Sequence, residues 1–161
     1  MTTNPDTICP CGNTKDDIAL SYTYCCKPFH KGLALPSTPE ILMRSRYSAF
    51  VLKEYEYLIA THHCDYLNGL TAQALAQSEE PNWLSLDILS TWSRGQSGEV
   101  CFQAWYQDGG ELDAIHECSA FEFVDGRWFY TQGEQKAAIL PKRNEPCVCN
   151  SGKKFKQCCM R

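Results

Sequence analysis

Hydrophobic positions along the chain change period near Pro81, and the change separates helices from strands in the middle of the sequence. Between Ile41 and about Ala60 there is neither Gly nor Pro, and Met43, Tyr47, Phe50, Val51 and Leu58 recur close to the 3.6-residue period. This spacing predicts one helix with an apolar stripe. Ser37-Thr38-Pro39-Glu40 supplies its start: a hydroxyl to cap orphan amides, a proline for the first turn, and a carboxylate at the positive helix end. A shorter helix is predicted over Thr71 to Gln77, ending before Pro81. Beyond Pro81 the period becomes two, with Leu84, Leu86 and Ile88 on one face of one run and Val100, Phe102, Ala104 and Tyr106 on one face of the next. Gly95 to Gly98, Gly109-Gly110 and Asp125-Gly126 punctuate these runs, the last being a dipeptide suited to a tight hairpin with positive φ at both central residues. Helices followed by a meander of about four antiparallel strands make an α+β domain, its helices packed on one face of a twisted sheet.

The two ends do not share this patterning, and cysteine replaces it. Eight of the eleven cysteines lie there, as Cys9, Cys11, Cys25, Cys26 and Cys147, Cys149, Cys158, Cys159, with only Cys64, Cys101 and Cys118 between. At 161 residues, 43% hydrophobic and 21% charged, the chain has the composition of one folded domain with small appendages and not of a disordered tail. No run approaches the ~18 apolar residues of a membrane span, and Met1 to Cys9 has neither a basic flank nor an apolar signal core. A cytoplasmic protein with reduced thiols is expected, which favours metal ligation over a disulfide scaffold. Cys101 and Cys118 then read as small strand residues.

The terminal cysteines form a degenerate repeat. Each copy reads C-x-C, a spacer, then C-C, the spacer being thirteen residues in the first copy and eight in the second. A C-x-C turn can aim two sulfurs at one ion while the second pair returns from a following short helix, here Lys153 to Gln157, so each copy can build a tetrahedral four-thiolate site. Zinc, Zn2+, is the expected ion, one or two per chain, although such sites also suit iron. The resulting division is 1–32 for the N-terminal four-cysteine segment, 33–138 for the central domain and 139–161 for the C-terminal zinc knuckle. The whole chain carries −4, yet Lys142, Arg143, Lys153, Lys154, Lys156 and Arg161 stand against Glu145 alone at the C-terminus. Lys153, Lys154 and Lys156, with Phe155 for stacking, are candidates for gripping an acidic protein face or ribosomal RNA, whereas the acidic body gives no reason to expect DNA.

Arg143-Asn144-Glu145-Pro146-Cys147-Val148-Cys149-Asn150-Ser151-Gly152-Lys153-Lys154-Phe155-Lys156-Gln157-Cys158-Cys159 resembles the SEC-C motif, the metal-binding tail of the bacterial preprotein translocase ATPase SecA. With Leu42 to Val51, Tyr57-Leu58-Ile59 before Thr61-His62-His63, and Gly126 to Tyr130, the sequence resembles the YchJ family of SEC-C proteins along essentially its whole length. The resemblance implies a central nuclear transport factor 2-like (cystatin-like) cone of helices on a curved antiparallel sheet, flanked by N- and C-terminal zinc knuckles. It implies no reaction. In the translocase the tail binds zinc, docks on an acidic export chaperone and contacts ribosomes, so an adaptor with such partners is the leading expectation. The chain departs from its relatives in having Cys159 where the translocase has His, Asn150 in place of a usual Gly, His62 and Cys64 where Trp and Pro are common, and Cys118 where Arg is common.

A cone of this kind often encloses a pocket, and Arg44, Arg46, Tyr47, His63, His116, Glu117 and Trp128 are the residues of family-like motifs that could line one. A small-ligand binder or enzyme using that pocket is the alternative function. Adjacent strand residues point to opposite faces, so His116 and Glu117 should not form a dyad, and buried ion pairs of Arg44 or Arg46 with Glu117 are the competing structural role. His62, His63 and Cys64 read as a helix-end cluster, and a thiol redox or metal-handling role rests on cysteine number alone.

Overall fold

The computed structural model describes residues 7–160, so the first six residues of the N-terminal segment and Arg161 of the basic tail lie outside the described residues. Ahead of the central domain stand strands β1 (Thr14–Lys15) and β2 (Ile18–Ala19) and the single helical turn α1 (Lys27–His30). Helix α2 (Pro39–Leu52) begins as the sequence predicts, with the Thr38 hydroxyl accepting from the Ile41 amide at 3.2 Å and Pro39 in the first turn. It does not continue to Ala60. Lys53 adopts a left-handed conformation (φ 63°), the Glu54 amide reaches back to the Ala49 carbonyl at 2.8 Å, and a separate helix, α3 (Tyr55–Ala60), follows the break. The break is stabilised in the tertiary structure: Arg46 Nη1 donates to Leu58 O at 2.8 Å and to Thr61 Oγ1 at 2.6 Å, tying the end of α3 back to the middle of α2. Helix α4 (Ala72–Gln77) follows, capped by the Thr71 hydroxyl on the Ala74 amide.

Four antiparallel strands complete the domain in the order β3 (Asn82–Arg94), β4 (Ser97–Asp108), β5 (Glu111–Val124) and β6 (Arg127–Lys136). Asp125 and Gly126 take φ values of 51° and 85°, the left-handed pair that the tight hairpin requires. Register shifts between Trp83 and Ser85, between Ile88 and Ser90, and between Ser119 and Phe121 interrupt the ladders, and bulges of this kind bend and twist a sheet. The first shift alters the expected face. Leu84 is the unpaired residue, and Trp83 joins Leu86 and Ile88 toward α2, its ring edge-on to Tyr47 at 5.9 Å.

The core lies between α2 and the inner face of the sheet, where Leu42, Met43 and Tyr47 meet Leu86, Val100, Phe102, Ala104, Phe121 and Trp128. The approach is close enough that a Cβ on Gly98 would sit 2.5 Å from the Pro39 ring, so glycine is needed where the helix start crosses β4. The outer face is crossed by the segment after β6. His116 Nδ1 bonds the Ala137 carbonyl at 2.8 Å, and Gln103, its cross-strand neighbour, accepts from the Ile139 amide at 2.7 Å. Also across β4 and β5, Cys101 and Cys118 are register partners joined by a disulfide, with their sulfurs 2.02 Å apart. This corrects the reading of Cys101 and Cys118 as small free strand thiols, the other nine cysteines being free: the antiparallel register places the two side chains directly opposite each other.

Candidate metal centres

The N-terminal centre is assembled by a hairpin. Asp16 and Asp17, at φ 52° and 62°, close the β1–β2 turn, so the thirteen-residue spacer contains a small ribbon that returns alongside Cys9, whose amide bonds Leu20 O at 2.9 Å. A 3-10 turn at Tyr22–Tyr24 then delivers Cys25 and Cys26. The four sulfurs lie within 4.8 Å of one another, with Cys11 and Cys25 at 3.5 Å and Cys25 and Cys26 at 3.9 Å. Metal–sulfur bonds of about 2.3 Å in a tetrahedron place sulfurs roughly 3.8 Å apart, so the arrangement fits a thiolate-bound cation.

Its surroundings come from α2. Ser48 Oγ donates to Cys26 Sγ at 3.2 Å and lies 3.4 Å from Cys9 Sγ, while Arg44 Nη1 donates to the Cys11 carbonyl at 2.8 Å. Cys9, Cys11 and Cys26 are at most 2% exposed. Protons are unevenly shared among such crowded thiols. Hydrogen bonds from the other cysteines, Cys11 first for Cys9 and Cys25 first for Cys11, push the Cys9 and Cys11 thiols down. Hydrogen bonding with Cys11 pushes Cys25 and Cys26 up. A divalent cation replaces the shared protons, which makes this donor set suited to one.

The C-terminal centre is built on a compact turn. Pro146 and Lys154 form an antiparallel bridge, the Cys147 amide bonds Lys153 O at 2.9 Å, and Asn150 and Gly152 take φ values of 61° and 82°. The expected short helix is a single 3-10 turn, Phe155–Gln157. The sulfurs of Cys147, Cys149, Cys158 and Cys159 again lie within 4.8 Å of one another, Cys149 and Cys158 at 3.4 Å and the adjacent Cys158 and Cys159 at 4.0 Å. Adjacent cysteines converge here by the same backbone device as in the first copy. Cys158 has φ −134° and ψ −110°, and Cys25 has φ −122° and ψ −96°. Burial pushes the Cys149 thiol up, but hydrogen bonds from Ser151 and Cys158 outweigh it and bring the thiol down to about 6, while Cys159 is raised, chiefly by burial.

This knuckle rests on the outer face of the sheet through polar contacts, Ser85 Oγ donating to Val148 O and Gln107 Nε2 to Cys159 Sγ at 3.4 Å. Lys153, Lys154 and Lys156 are exposed, whereas Phe155 is 7% exposed. Phe155 is therefore an interior residue of the knuckle and not a stacking platform, which corrects its assignment to the binding surface.

The expected pocket is only partly the one present. A cavity of about 250 Å³ between α2 and the sheet is lined by Arg46, Tyr47 and Glu117, together with His62, Ser119, Tyr130 and Gln135, which sequence patterning missed. Arg44 belongs to the N-terminal centre, 3.7 Å from Glu40. His63 lies outside the lining, its Nδ1 accepting from the Asp65 amide at 3.1 Å and its Nε2 3.6 Å from Glu122. His116 points to the outer face, opposite Glu117, and Trp128 lines a separate cleft of about 360 Å³ near Phe29 and Pro36. No Arg46–Glu117 ion pair within 4.0 Å is present among the described residues. Tyr130 stands between the two, its ring 4.7 Å from the guanidinium and its hydroxyl donating to Glu117 Oε1 at 3.1 Å.

No helix among the described residues is long and apolar enough to cross a membrane. Residues 38–133 match the family described as YchJ, middle NTF2-like domain, and residues 143–161 match the SEC-C motif. A UPF0225 protein of Shewanella sp. strain MR-4 is 54% identical over 165 residues, covering 97% of this chain and 98% of the relative. A UPF0225 protein of Vibrio cholerae is 39% identical, covering 94% and 98%. Among solved structures, a SEC-C motif containing protein of Psychrobacter arcticus is 30% identical with a TM-score of 0.70, covering 97% of both chains. One of Rhodopseudomonas palustris is 32% identical with a TM-score of 0.71, covering 80% of this chain and 98% of that one. With an NTF2-like middle domain and a four-cysteine cluster compatible with metal binding at each end, the chain belongs to the UPF0225 family of YchJ-like SEC-C motif proteins.

Proposed function

We propose that this chain is a zinc-binding cytoplasmic adaptor that uses its C-terminal knuckle to hold an acidic protein partner. The observation that carries the reading is the division of labour within that knuckle: Phe155 fills its interior while Lys153, Lys154 and Lys156 all face solvent. Three cations on a rigid turn of a few residues suit electrostatic capture of a carboxylate-rich surface. An acidic protein, of the kind an export chaperone offers, fits better than ribosomal RNA, because no exposed aromatic residue remains in the knuckle's 3-10 turn for base stacking. Zinc is preferred over iron because four thiolates with no redox demand suffice to hold the turn, and a segment this small depends on its ion for folding.

Titrating the metal-replete chain against poly-glutamate tests the reading. Binding should weaken steeply with salt, fall at least about tenfold when Lys153, Lys154 and Lys156 are all changed to Glu, and disappear in the Cys147→Ser, Cys149→Ser variant. Undiminished binding by the cysteine variant would remove the knuckle from the account. Elemental analysis of the natively purified chain distinguishes zinc from iron.

A further inference from the structure

We infer that the cavity between α2 and the sheet is a binding site for a small, neutral, single-ring molecule bearing a hydroxyl or N–H donor, which Glu117 accepts. The inference is independent of the knuckles and rests on how the carboxylate is held. Glu117 is 8% exposed on the inner face of β5. Its Oε1 accepts from Ser119 Oγ at 2.7 Å and from the Tyr130 hydroxyl at 3.1 Å, and its Oε2 accepts from Gln135 Nε2. The backbone makes room for it as well. A Cβ on Gly133 would lie 1.8 Å from Glu117 Oε1, so β6 has no side chain where the carboxylate rests.

Three neutral donors fix the orientation of this group without using all of its roughly four lone-pair positions, so Oε2 retains acceptor capacity. A carboxylate held in a fixed orientation on a cavity wall, with acceptor capacity left over, is a candidate for ligand recognition. Arg46 lines the same cavity and supplies the opposite charge, its guanidinium 4.7 Å from the Tyr130 ring, while its Nη1 is committed to Leu58 O and Thr61 Oγ1. Because the two charges cancel across the cavity, an ionic guest gains little and a dipolar one with a donor gains a charge-assisted hydrogen bond. His62 adds one more polar group, its Nε2 buried without a hydrogen-bond partner, and the other walls are mainly apolar, with Phe102 directly across the ladder from Glu117 and with Phe50, Trp83 and Ile115 among the lining residues. A volume of about 250 Å³ falls below the range of drug-sized pockets and accommodates one ring.

Three probes with one ring and different heads test this: phenol, toluene and benzoate, titrated into the metal-replete full chain while the Trp83 indole N–H resonance is followed, assigned with Trp83→Phe. Phenol should shift it saturably and bind roughly ten- to a hundredfold more tightly than toluene, with benzoate weakest. Glu117→Gln should reduce phenol to the level of toluene. Because that change also disturbs the Ser119, Tyr130 and Gln135 contacts, Ala104→Leu, which fills the cavity from β4, provides the second arm and should abolish binding of both while the chain stays folded. Equal affinity for phenol and toluene would make the cavity a mere apolar void. A preference for benzoate would make Arg46 the recognition group, and no saturable shift would mean that nothing of this class binds. Each of these three outcomes overturns the inference.

Discussion

The two four-cysteine centres share a motif and a backbone device, yet they occupy opposite positions in the architecture. The N-terminal centre is part of the hydrophobic core: Cys9, Cys11 and Cys26 pack in one cluster with Met43 and Tyr47 of α2, and Ser48 and Arg44 of that helix bond its sulfurs and backbone. The C-terminal centre buries Cys147 and Phe155 within itself and meets the sheet through Ser85 and Gln107. A cation in the first site therefore holds the fold, whereas one in the second holds a surface module. The shorter spacer marks the self-contained copy, and the longer one, with its hairpin, marks the copy built into the domain.

Ligand removal should separate the two roles with the largest effect. Cys11→Ser deletes a fully buried ligand and leaves three crowded sulfurs with an incomplete shell, at a cost of about 3–5 kcal/mol. For a chain of this size that lowers the melting temperature by on the order of 10 °C. Cys147→Ser should leave the main transition within about 2 °C, while amides of residues 142–160 lose protection from hydrogen exchange. Calorimetry and exchange on the two variants check this directly. Equal losses of melting temperature would erase the distinction between core and surface knuckle.

Much of this contrast was hidden from sequence. The meander and its Asp125-Gly126 hairpin were legible because strand period and turn chemistry are local. Both cysteine sets were legible because ligand spacing is local too. The break at Lys53 was not, since neither Gly nor Pro marks it and its support is Arg46 reaching across to Leu58 and Thr61. Nor was the Cys101–Cys118 disulfide, which depends on the β4–β5 register. The pocket was half visible: Arg46, Tyr47 and Glu117 are in it, but His116, one residue from Glu117, faces away, and Gln135 enters only because the β5–β6 register places it opposite Glu117. Nor does spacing show that the N-terminal centre is the more deeply buried of the two.

An intermediate effect is expected from the residues that surround the ligands. Arg44→Ala removes the hydrogen bond to Cys11 O and the i,i+4 pair with Glu40, and loss of such outer contacts typically weakens metal retention ten- to a hundredfold. Chelator-driven release should be biphasic, fast from the C-terminal centre and slow from the N-terminal one, and Arg44→Ala should accelerate the slow phase alone by about tenfold or more. Gln107→Ala, which removes the contact to Cys159 Sγ, should touch only the fast phase. A change of the fast phase in Arg44→Ala would mean that the two centres are coupled through the sheet.

The smallest effect compares the residue that follows C-x-C in each copy. Gly12 and Asn150 occupy equivalent places, and both are left-handed, at φ 72° and 61°. Such a conformation costs an ordinary side chain about 1–2 kcal/mol, costs Asn less, and is free to Gly. Asn150→Ala should therefore weaken the C-terminal centre by about 1 kcal/mol, while Asn150→Gly should be neutral or slightly favourable. Because folding and metal binding are linked there, the loss should appear as a roughly five- to tenfold drop in metal affinity at that centre, with the main melting transition unmoved. In the N-terminal copy nothing lies within 4 Å of a Cβ placed on Gly12, so the cost of Gly12→Ala is backbone strain alone. There, with the centre fused to the core, the same penalty should lower the main melting temperature by about 2–4 °C. One backbone conformation would then be read in two ways, as affinity at the surface knuckle and as global stability at the buried one. A fall in melting temperature for Asn150→Ala as large as that for Gly12→Ala would show instead that the C-terminal knuckle is a structural part of the domain.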